Sequence, residues 1–203
     1  MKTPPEFTPF PKMARLSREI IITEKIDGTN AQILIDDDGN IFAGSRKRWI
    51  TPEQDNFGFA AWVEKNKDEL IKLGTGRHFG EWWGSGIQRG YGLKKGERRF
   101  SLFNVQRWHE HGEEPRLIPK SDPRIVKYTE ELPESLSLVP RLYQGEFCTE
   151  KINETLSDLI LNGSHASNGF MNPEGVIVFH VAGNVGFKKT VQHDDIPKSL
   201  HTS

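Results

Sequence analysis

Short runs in which apolar and polar residues alternate cover much of the chain and predict a protein built mainly of strands. Residues 20–22 are three isoleucines, typical of a buried strand, and residues 31–35 alternate as in a half-buried strand. Segments 41–43, 79–83, 100–105 and 138–147 are interpreted in the same way. The runs 176–181 and 185–191 flank Ala182, Gly183 and Asn184, which predicts a hairpin.

Two segments have helical spacing instead. From residue 57 to residue 73 the apolar positions fall close to a period of 3.6, and Gly74 is placed to end the helix. A second amphipathic helix is predicted from about Thr149. Residues 1–19, with four prolines, are expected to form an extended lead-in. Residues 109–135 are expected to be a polar surface excursion with a short helical piece near 125–132.

Composition limits the class of protein. The 203 residues can bury one substantial core, so we expect one domain over residues 1–203. No apolar run is long enough to cross a bilayer, and the N-terminus carries prolines in place of the apolar core of a signal peptide. The single cysteine, Cys148, excludes an intramolecular disulfide. We therefore expect a cytoplasmic protein with no membrane partner.

Charge neither supports nor excludes a nucleic-acid partner. Lys and Arg number 27 against 28 acids, so the net charge of -1 provides no overall attraction to phosphates. Basic residues do cluster at 46–48, 89–99 and 188–189. Such clusters are also consistent with a solvated surface, so any binding would have to be local.

Residues 24–30, Glu-Lys-Ile-Asp-Gly-Thr-Asn, hold the candidate nucleophile. Lys25 falls at the end of the first predicted strand and just before an Asp-Gly pair. A neutral lysine amine can attack phosphorus or a carbonyl carbon. Asp-Gly between two strands is also an ordinary hairpin turn, so Lys-x-Asp-Gly alone is a weak motif.

Five further segments follow Lys25 in order, and together they are far more specific. They are Ser45-Arg46, residues 79–88 (FGEWWGSGIQ), 102–105 (LFNV), 174–178 (EGVIV) and 187–190 (FKKT). From about residue 20 to residue 190 this series resembles the motifs of covalent lysyl-AMP ligases, and most closely the RNA ligase 2-like family. The resemblance implies an α+β adenylyltransferase (ATP-grasp-like nucleotidyltransferase) domain of antiparallel sheets with flanking helices, with the nucleotide in a cleft between them.

The activity implied by the resemblance is ATP-dependent RNA ligation. The Lys25 amine would attack the α-phosphorus of ATP and form lysyl-AMP, with Mg²⁺ or Mn²⁺ offsetting the phosphate charge. AMP would then pass to the 5′-phosphate of an RNA, and a 3′-hydroxyl would displace it. A DNA ligase or other polynucleotide adenylyltransferase, acting on DNA-containing nicks, stays open, as does a nucleic-acid-binding protein that has lost sealing activity.

Individual residues acquire expected roles from the same resemblance. The catalytic cations beside Lys25 would be Lys188 and Lys189. The family commonly separates these two lysines by one residue, whereas here they are adjacent, and Lys188 is favoured. Glu174 would help to hold the metal. The expected nucleotide contacts are Glu24 at the adenine amino group, Phe103 stacked on the purine, Glu81 at the ribose, Asn30 and Arg46 at ribose or phosphate, and Asp27 and Gly28 within the nucleophile motif.

About a dozen residues follow the last motif. We expect no room there for the C-terminal OB-fold or accessory domain that DNA ligases and mRNA-capping guanylyltransferases usually carry. This expectation counts against both of those classes.

Overall fold

The structure is a computed structural model that describes residues 5–118 and 127–195. Within them the strands are β1 (Glu19–Lys25), β2 (Thr29–Ile35), β3 (Ile41–Ser45), β4 (Trp49–Ile50), β5 (Gly76–Gly84), β6 (Arg98–Leu102), β7 (Trp108–His109), β8 (Glu130–Glu131), β9 (Ser137–Leu138), β10 (Arg141–Glu146), β11 (Gly175–His180) and β12 (Val185–Thr190). The helices are α1 (Phe59–Lys65), α2 (Lys67–Leu70) and α3 (Thr149–Asn162), with 3₁₀ turns at Pro52–Gln54, Ile71–Leu73 and Gly90–Gly92. No helix in these ranges is long and apolar enough to cross a membrane.

Two sheets form the body of the protein. The four-stranded sheet has the order β10-β1-β11-β12, with every pair antiparallel. The six-stranded sheet has the order β4-β3-β2-β5-β6-β9 and is antiparallel except for the pair β6 and β9. Strands β7 and β8 form a separate parallel pair. The predicted α+β fold with antiparallel sheets is confirmed.

Each sheet buries one face beneath a helix. On the six-stranded sheet, Ile33 and Trp82 pack with Phe59 of α1, and the rings of Phe59 and Trp82 lie 5.3 Å apart. On the four-stranded sheet, Ile22 of β1 packs with Leu159 of α3. Burying apolar area in this way is the main favourable contribution to folding. It leaves the opposite faces of the sheets to border a cleft.

The chain changes sheets directly after Lys25. β1 pairs with β10 and β11, whereas β2 pairs with β3 and β5, so the two consecutive strands are not partners. The hairpin interpretation of the Asp-Gly pair is therefore wrong. Gly28 lies against β5, and a Cβ there would be 2.5 Å from the carbonyl oxygen of Trp82. Only glycine permits this approach, which draws the end of β1 onto the other sheet.

Two predicted elements differ from the structure. The helix expected over residues 57–73 is divided into α1, α2 and a 3₁₀ turn, because the backbone of Asn66 leaves the helical conformation (φ −106°, ψ 12°) and its side chain donates back to the Trp62 carbonyl. Gly74 does end this region, as predicted. The helical piece expected near 125–132 is wrong over 127–132, where β8 pairs with β7 and Leu132 is buried. Residues 125 and 126 lie outside the described residues.

Other predictions agree closely with the structure. Helix α3 begins at Thr149, and β11 and β12 form the predicted hairpin. The described part of the lead-in, residues 5–18, contains neither helix nor strand. β6 ends at Leu102, earlier than the predicted 105, so Phe103 follows the strand.

Candidate active site

A cavity of about 580 Å³ opens between the two sheets at the end of β1. One wall is formed by β1 and β11, and the other by β2, β5 and the segment that follows β6. The volume lies within the range of small-molecule sites. The lining residues that the sequence analysis singled out are Glu24, Lys25, Asn30, Glu81 and Phe103.

Lys25 is the last residue of β1, and its side chain reaches the cavity with 23% of its surface exposed. Its Nζ donates a hydrogen bond to Oε2 of Glu174, 2.5 Å away. Glu174 directly precedes β11, and the pairing of Lys25 with Gly175 brings the two side chains together. The candidate nucleophile and the candidate metal ligand are therefore in contact.

Glu81 on β5 supports the segment that follows Lys25. Its Oε1 accepts from the backbone N–H of Gly28 at 3.0 Å, and its Oε2 accepts from Nδ2 of Asn30 at 2.9 Å. Only 7% of Glu81 is exposed, and this burial raises its pKa to about 7, while the charge of Lys25 acts in the opposite direction. Each oxygen keeps a second lone pair, so both can still accept from a ligand hydroxyl.

Asp27 is tied to the Gly-rich loop after β5. Its backbone N–H donates to the Tyr91 hydroxyl, and its Oδ2 accepts from Nε of Arg89 at 3.0 Å. Nη1 of Arg89 donates to the carbonyl and side-chain oxygens of Asn172 and to the carbonyl of Pro173. Arg89 therefore joins the Lys25 segment to the segment just before Glu174.

Sequence reasoning missed this bridge. It grouped Arg89 with the cations of residues 89–99 that could face RNA, but Arg89 and Arg98 are both used internally. Arg98 donates to the carbonyl oxygens of Ser85 and Phe57. The only sequence signal was an arginine in a Gly-rich loop, which cannot specify partners 62 and 84 residues away.

Lys188 and Lys189 lie on opposite faces of β12. Lys188 pairs with Ile177, which lines the cavity, and Lys189 pairs with Val176, which packs near α3. Cross-strand partners share a face of the sheet. Lys188 therefore lies on the cleft side with Lys25, whereas Lys189 does not.

Phe103 and Arg46 differ in their relation to the cavity. Phe103 lines it with an exposed ring. Arg46 is exposed and does not line it. It follows Ser45, the partner of Ala31, and so lies near Asn30 at the end of the β2–β3 pair.

The comparison with protein families identifies the chain. The family model described as RNA ligase matches residues 18–191. This chain belongs to the RNA ligase family. A comparison with curated protein sequences gave no match.

Solved structures of Naegleria gruberi RNA ligase have a similar fold. An apo mutant is 20% identical with a TM-score of 0.54, covering 86% of this chain and 50% of that one. A mutant with ATP and Mn is 19% identical with a TM-score of 0.55, covering 87% and 51%. This chain thus spans about half the length of those it matches. These similarities show that this RNA ligase family member has the nucleotidyltransferase fold.

Glu24, the residue expected to contact adenine, also has partners within the protein. It borders the cavity but is 1% exposed, and its carboxylate accepts from the Ser164 hydroxyl and from the backbone N–H groups of His165 and Ala166. Burial raises the pKa of Glu24, and these hydrogen bonds oppose that rise. The carboxylate thereby anchors β1 to the segment that follows α3.

The carboxylates near Lys25 suit a divalent cation whose remaining ligands are phosphate oxygens and water. Within residues 5–118 and 127–195, no group of three or more His, Cys, Asp or Glu could hold a metal ion by itself. Glu174 and Glu81 are close enough that the charge of Glu174 helps to raise the pKa of Glu81. Mg²⁺ is usually held by one or two carboxylates together with phosphates and waters. The residues present fit such an ion.

Proposed function

We propose that this protein is an ATP-dependent RNA ligase that forms lysyl-AMP on Lys25. The observation that carries the proposal is that Lys25 contacts Glu174 and lines a cavity together with Glu81, Asn30 and Phe103. Membership of the RNA ligase family supports it. Naegleria gruberi RNA ligase has been solved with ATP and Mn, which supports ATP and a divalent metal as its requirements here.

The cavity suggests how ATP would be oriented. The exposed ring of Phe103 offers a surface for the purine, and the free lone pairs of Glu81 can accept from ribose hydroxyls. This placement directs the phosphates toward Lys25 and toward Lys188 on the same side of the cleft. Bound Mg²⁺ or Mn²⁺ near Glu174 would supply further positive charge.

In the first step the neutral Lys25 amine forms an N–P bond to the α-phosphorus, and the bond from that phosphorus to pyrophosphate breaks. The Lys25 ammonium must first lose a proton to give this amine, and Oε2 of Glu174 is the acceptor already in contact with Nζ. Lys188 stabilises the charge on the phosphate oxygens. In the later steps, AMP moves from Lys25 to a 5′-phosphate end of RNA, and a 3′-hydroxyl displaces AMP to form a phosphodiester.

The first step is tested by self-labelling with α-labelled ATP and Mg²⁺ or Mn²⁺, followed by a denaturing gel. The wild-type protein is expected to become labelled, and mass spectrometry should place AMP on Lys25. Lys25→Ala should abolish the label, whereas Lys67→Ala, a change in α2 away from the cavity, should retain it. Labelling of Lys25→Ala at the wild-type rate would refute the assignment.

The sealing steps are tested with single-stranded ends and with nicked substrates, each carrying a 5′-phosphate and a 3′-hydroxyl. RNA on the 3′-hydroxyl side is expected to be sealed faster than DNA, since the 2′-hydroxyl can both donate and accept near the junction. Equal sealing of all-RNA and all-DNA nicks across a range of salt concentrations would favour a DNA ligase instead. If the protein labels itself but seals no substrate, the proposed ligase activity is wrong and only the adenylylation of Lys25 stands.

A further inference from the structure

The face of the six-stranded sheet that borders the cavity continues beyond it. Strand pairing places Phe79 opposite Gln32, Gln32 opposite Gly44, and Gly44 opposite Trp49. The backbone N–H of Phe103 donates to the Phe79 carbonyl, which extends the same row to the cavity. At ~4.8 Å for each strand, the row extends about 19 Å from Phe103 to Trp49.

A second row lies alongside the first. Arg77 pairs with Leu34, and Leu34 pairs with Phe42. The Phe42 and Trp49 rings are 6.1 Å apart, and the Arg77 guanidinium lies 5.3 Å from the centre of the Trp49 ring. The side of the first row away from Arg77 is bounded by Glu81, paired with Asn30. We call the surface formed by Phe42, Trp49, Arg77 and Phe79 the aromatic platform.

The platform rings are open to solvent. Phe42, Trp49 and Phe79 are 45–51% exposed, and Trp49 is the most exposed of the five tryptophans. A single exposed aromatic residue is ordinary, but several on one continuous face usually mark a binding surface. Between the rings, the side chain of Gln32 lies over Gly44, where a Cβ would come within 2.8 Å of it.

The charge around the platform is positive on the side of Trp49. Arg46, Lys47 and Arg48 form the exposed loop between β3 and β4, directly before Trp49. Nη1 of Arg77 donates to Oε1 of Gln32, which leaves further guanidinium N–H groups available. The three acids at 36–38 lie at the turn of the β2–β3 hairpin, at the opposite end of these strands from residues 46–48. An anionic chain that leaves the cavity is therefore favoured along the first row toward residues 46–48.

We propose that the aromatic platform binds unpaired RNA nucleotides next to the junction, by stacking their bases on Phe79, Trp49 and Phe42 while Arg77 and residues 46–48 contact the phosphates. This inference rests on the proposed function, because it specifies the form of RNA presented to that cavity. Exposed rings interleaved with cations are how proteins hold single strands. A duplex keeps its bases stacked inside the helix and offers no free face to the rings.

Binding is tested without ATP, so that the result does not depend on adenylylation. An unpaired, fluorescently labelled RNA of about 10 nucleotides is titrated with protein, and its anisotropy is measured. Trp49→Ala is expected to raise Kd by about tenfold, and Trp49→Phe, which keeps a ring, by much less. The control Tyr128→Ala removes a ring outside the platform that is at least as exposed as Trp49, and this variant should bind like wild type.

Two further measurements identify the contacts. Unpaired RNA should protect Trp49 from fluorescence quenching by acrylamide, and RNA with abasic nucleotides should bind about as weakly to wild type as intact RNA does to Trp49→Ala. The proposal is overturned if Trp49→Ala binds RNA like wild type, if abasic or duplex RNA binds as tightly as unpaired RNA, or if RNA leaves Trp49 unprotected. The last result would assign the platform to another partner. Absence of self-labelling by wild-type protein would instead reject the proposed function.

Discussion

The carboxyl group of Glu81 lies in the candidate site and is largely shielded from water. Burying a charge is costly unless hydrogen bonds compensate, and Gly28 and Asn30 supply only two. Burial therefore raises the pKa of Glu81 from 4.5 to about 7. The folded protein holds this proton more tightly than the unfolded chain does, so protonation of Glu81 favours the fold.

The free energy of unfolding should depend on pH through Glu81. Its stabilising contribution is complete below about pH 4.5 and is lost as pH rises through about 7. Glu81→Gln should remove this slope, so that wild type loses up to about 3 kcal/mol relative to the variant from pH 5 to pH 8. Urea denaturation across this range measures the difference. Glu64→Gln, on the exposed side of α1, is the control, and equal slopes for wild type and Glu81→Gln would contradict the prediction.

At the scale of elements, strand β12 determines which of two neighbouring lysines reaches the cleft. Successive residues of a strand point to opposite faces, so Lys188 and Lys189 cannot both lie beside Lys25. The family pattern separates its lysines by one residue, which would put both on one face. Here Thr190 has that second position, across from Gly175.

We predict that Lys188→Ala slows self-adenylylation by about 100-fold, the usual effect of losing one electrostatic contact to a transition state. Lys189→Ala should change the rate by less than about threefold, because its side chain faces away from the cleft. Single-turnover labelling with ATP in excess gives both rates. The neighbouring variants serve as controls for each other, and a larger effect of Lys189→Ala would reverse the assignment.

Local patterns predicted most elements, since alternation and turn residues are read within a few positions. The β11–β12 hairpin and the start of α3 are of this kind. Pairing between distant segments is not contained in such patterns. Glu24 illustrates the difference: its carboxylate accepts hydrogen bonds from residues 164–166, about 140 residues away, and no local pattern predicts those partners.

At the scale of the whole molecule, Arg89 connects the two sheets. It leaves the loop after β5 of the six-stranded sheet, pairs with Asp27, and reaches Asn172 and Pro173 just before β11 of the four-stranded sheet. Lys25 lies two residues before Asp27, and Glu174 directly follows Pro173, so each is close in sequence to one end of this bridge. Their contact depends on the relative position of the sheets, which no local motif specifies.

Arg89→Ala should lower kcat for self-adenylylation by about 100-fold, since small misplacements of reacting groups have effects of this size. KM for ATP should change little, because Arg89 does not line the cavity. Arg89→Lys should not rescue the rate, because a single ammonium cannot reproduce the guanidinium geometry. Lys95→Ala, in the exposed loop before β6, is the control. A wild-type kcat for Arg89→Ala would show that the bridge is dispensable.

The crossing of the chain between sheets also determines when the proposed reaction could begin during synthesis of the protein. β2, β3 and β5 can pair soon after they leave the ribosome, whereas β1 must wait for β10 and β11, and Glu174 follows Lys25 by 149 residues. Contacts so distant in sequence form late in folding. A nascent chain that lacks β11 contains Lys25 but does not yet contain Glu174. Because the proposed adenylylation requires both residues, AMP bound covalently to Lys25 would show that a newly made molecule has completed its fold.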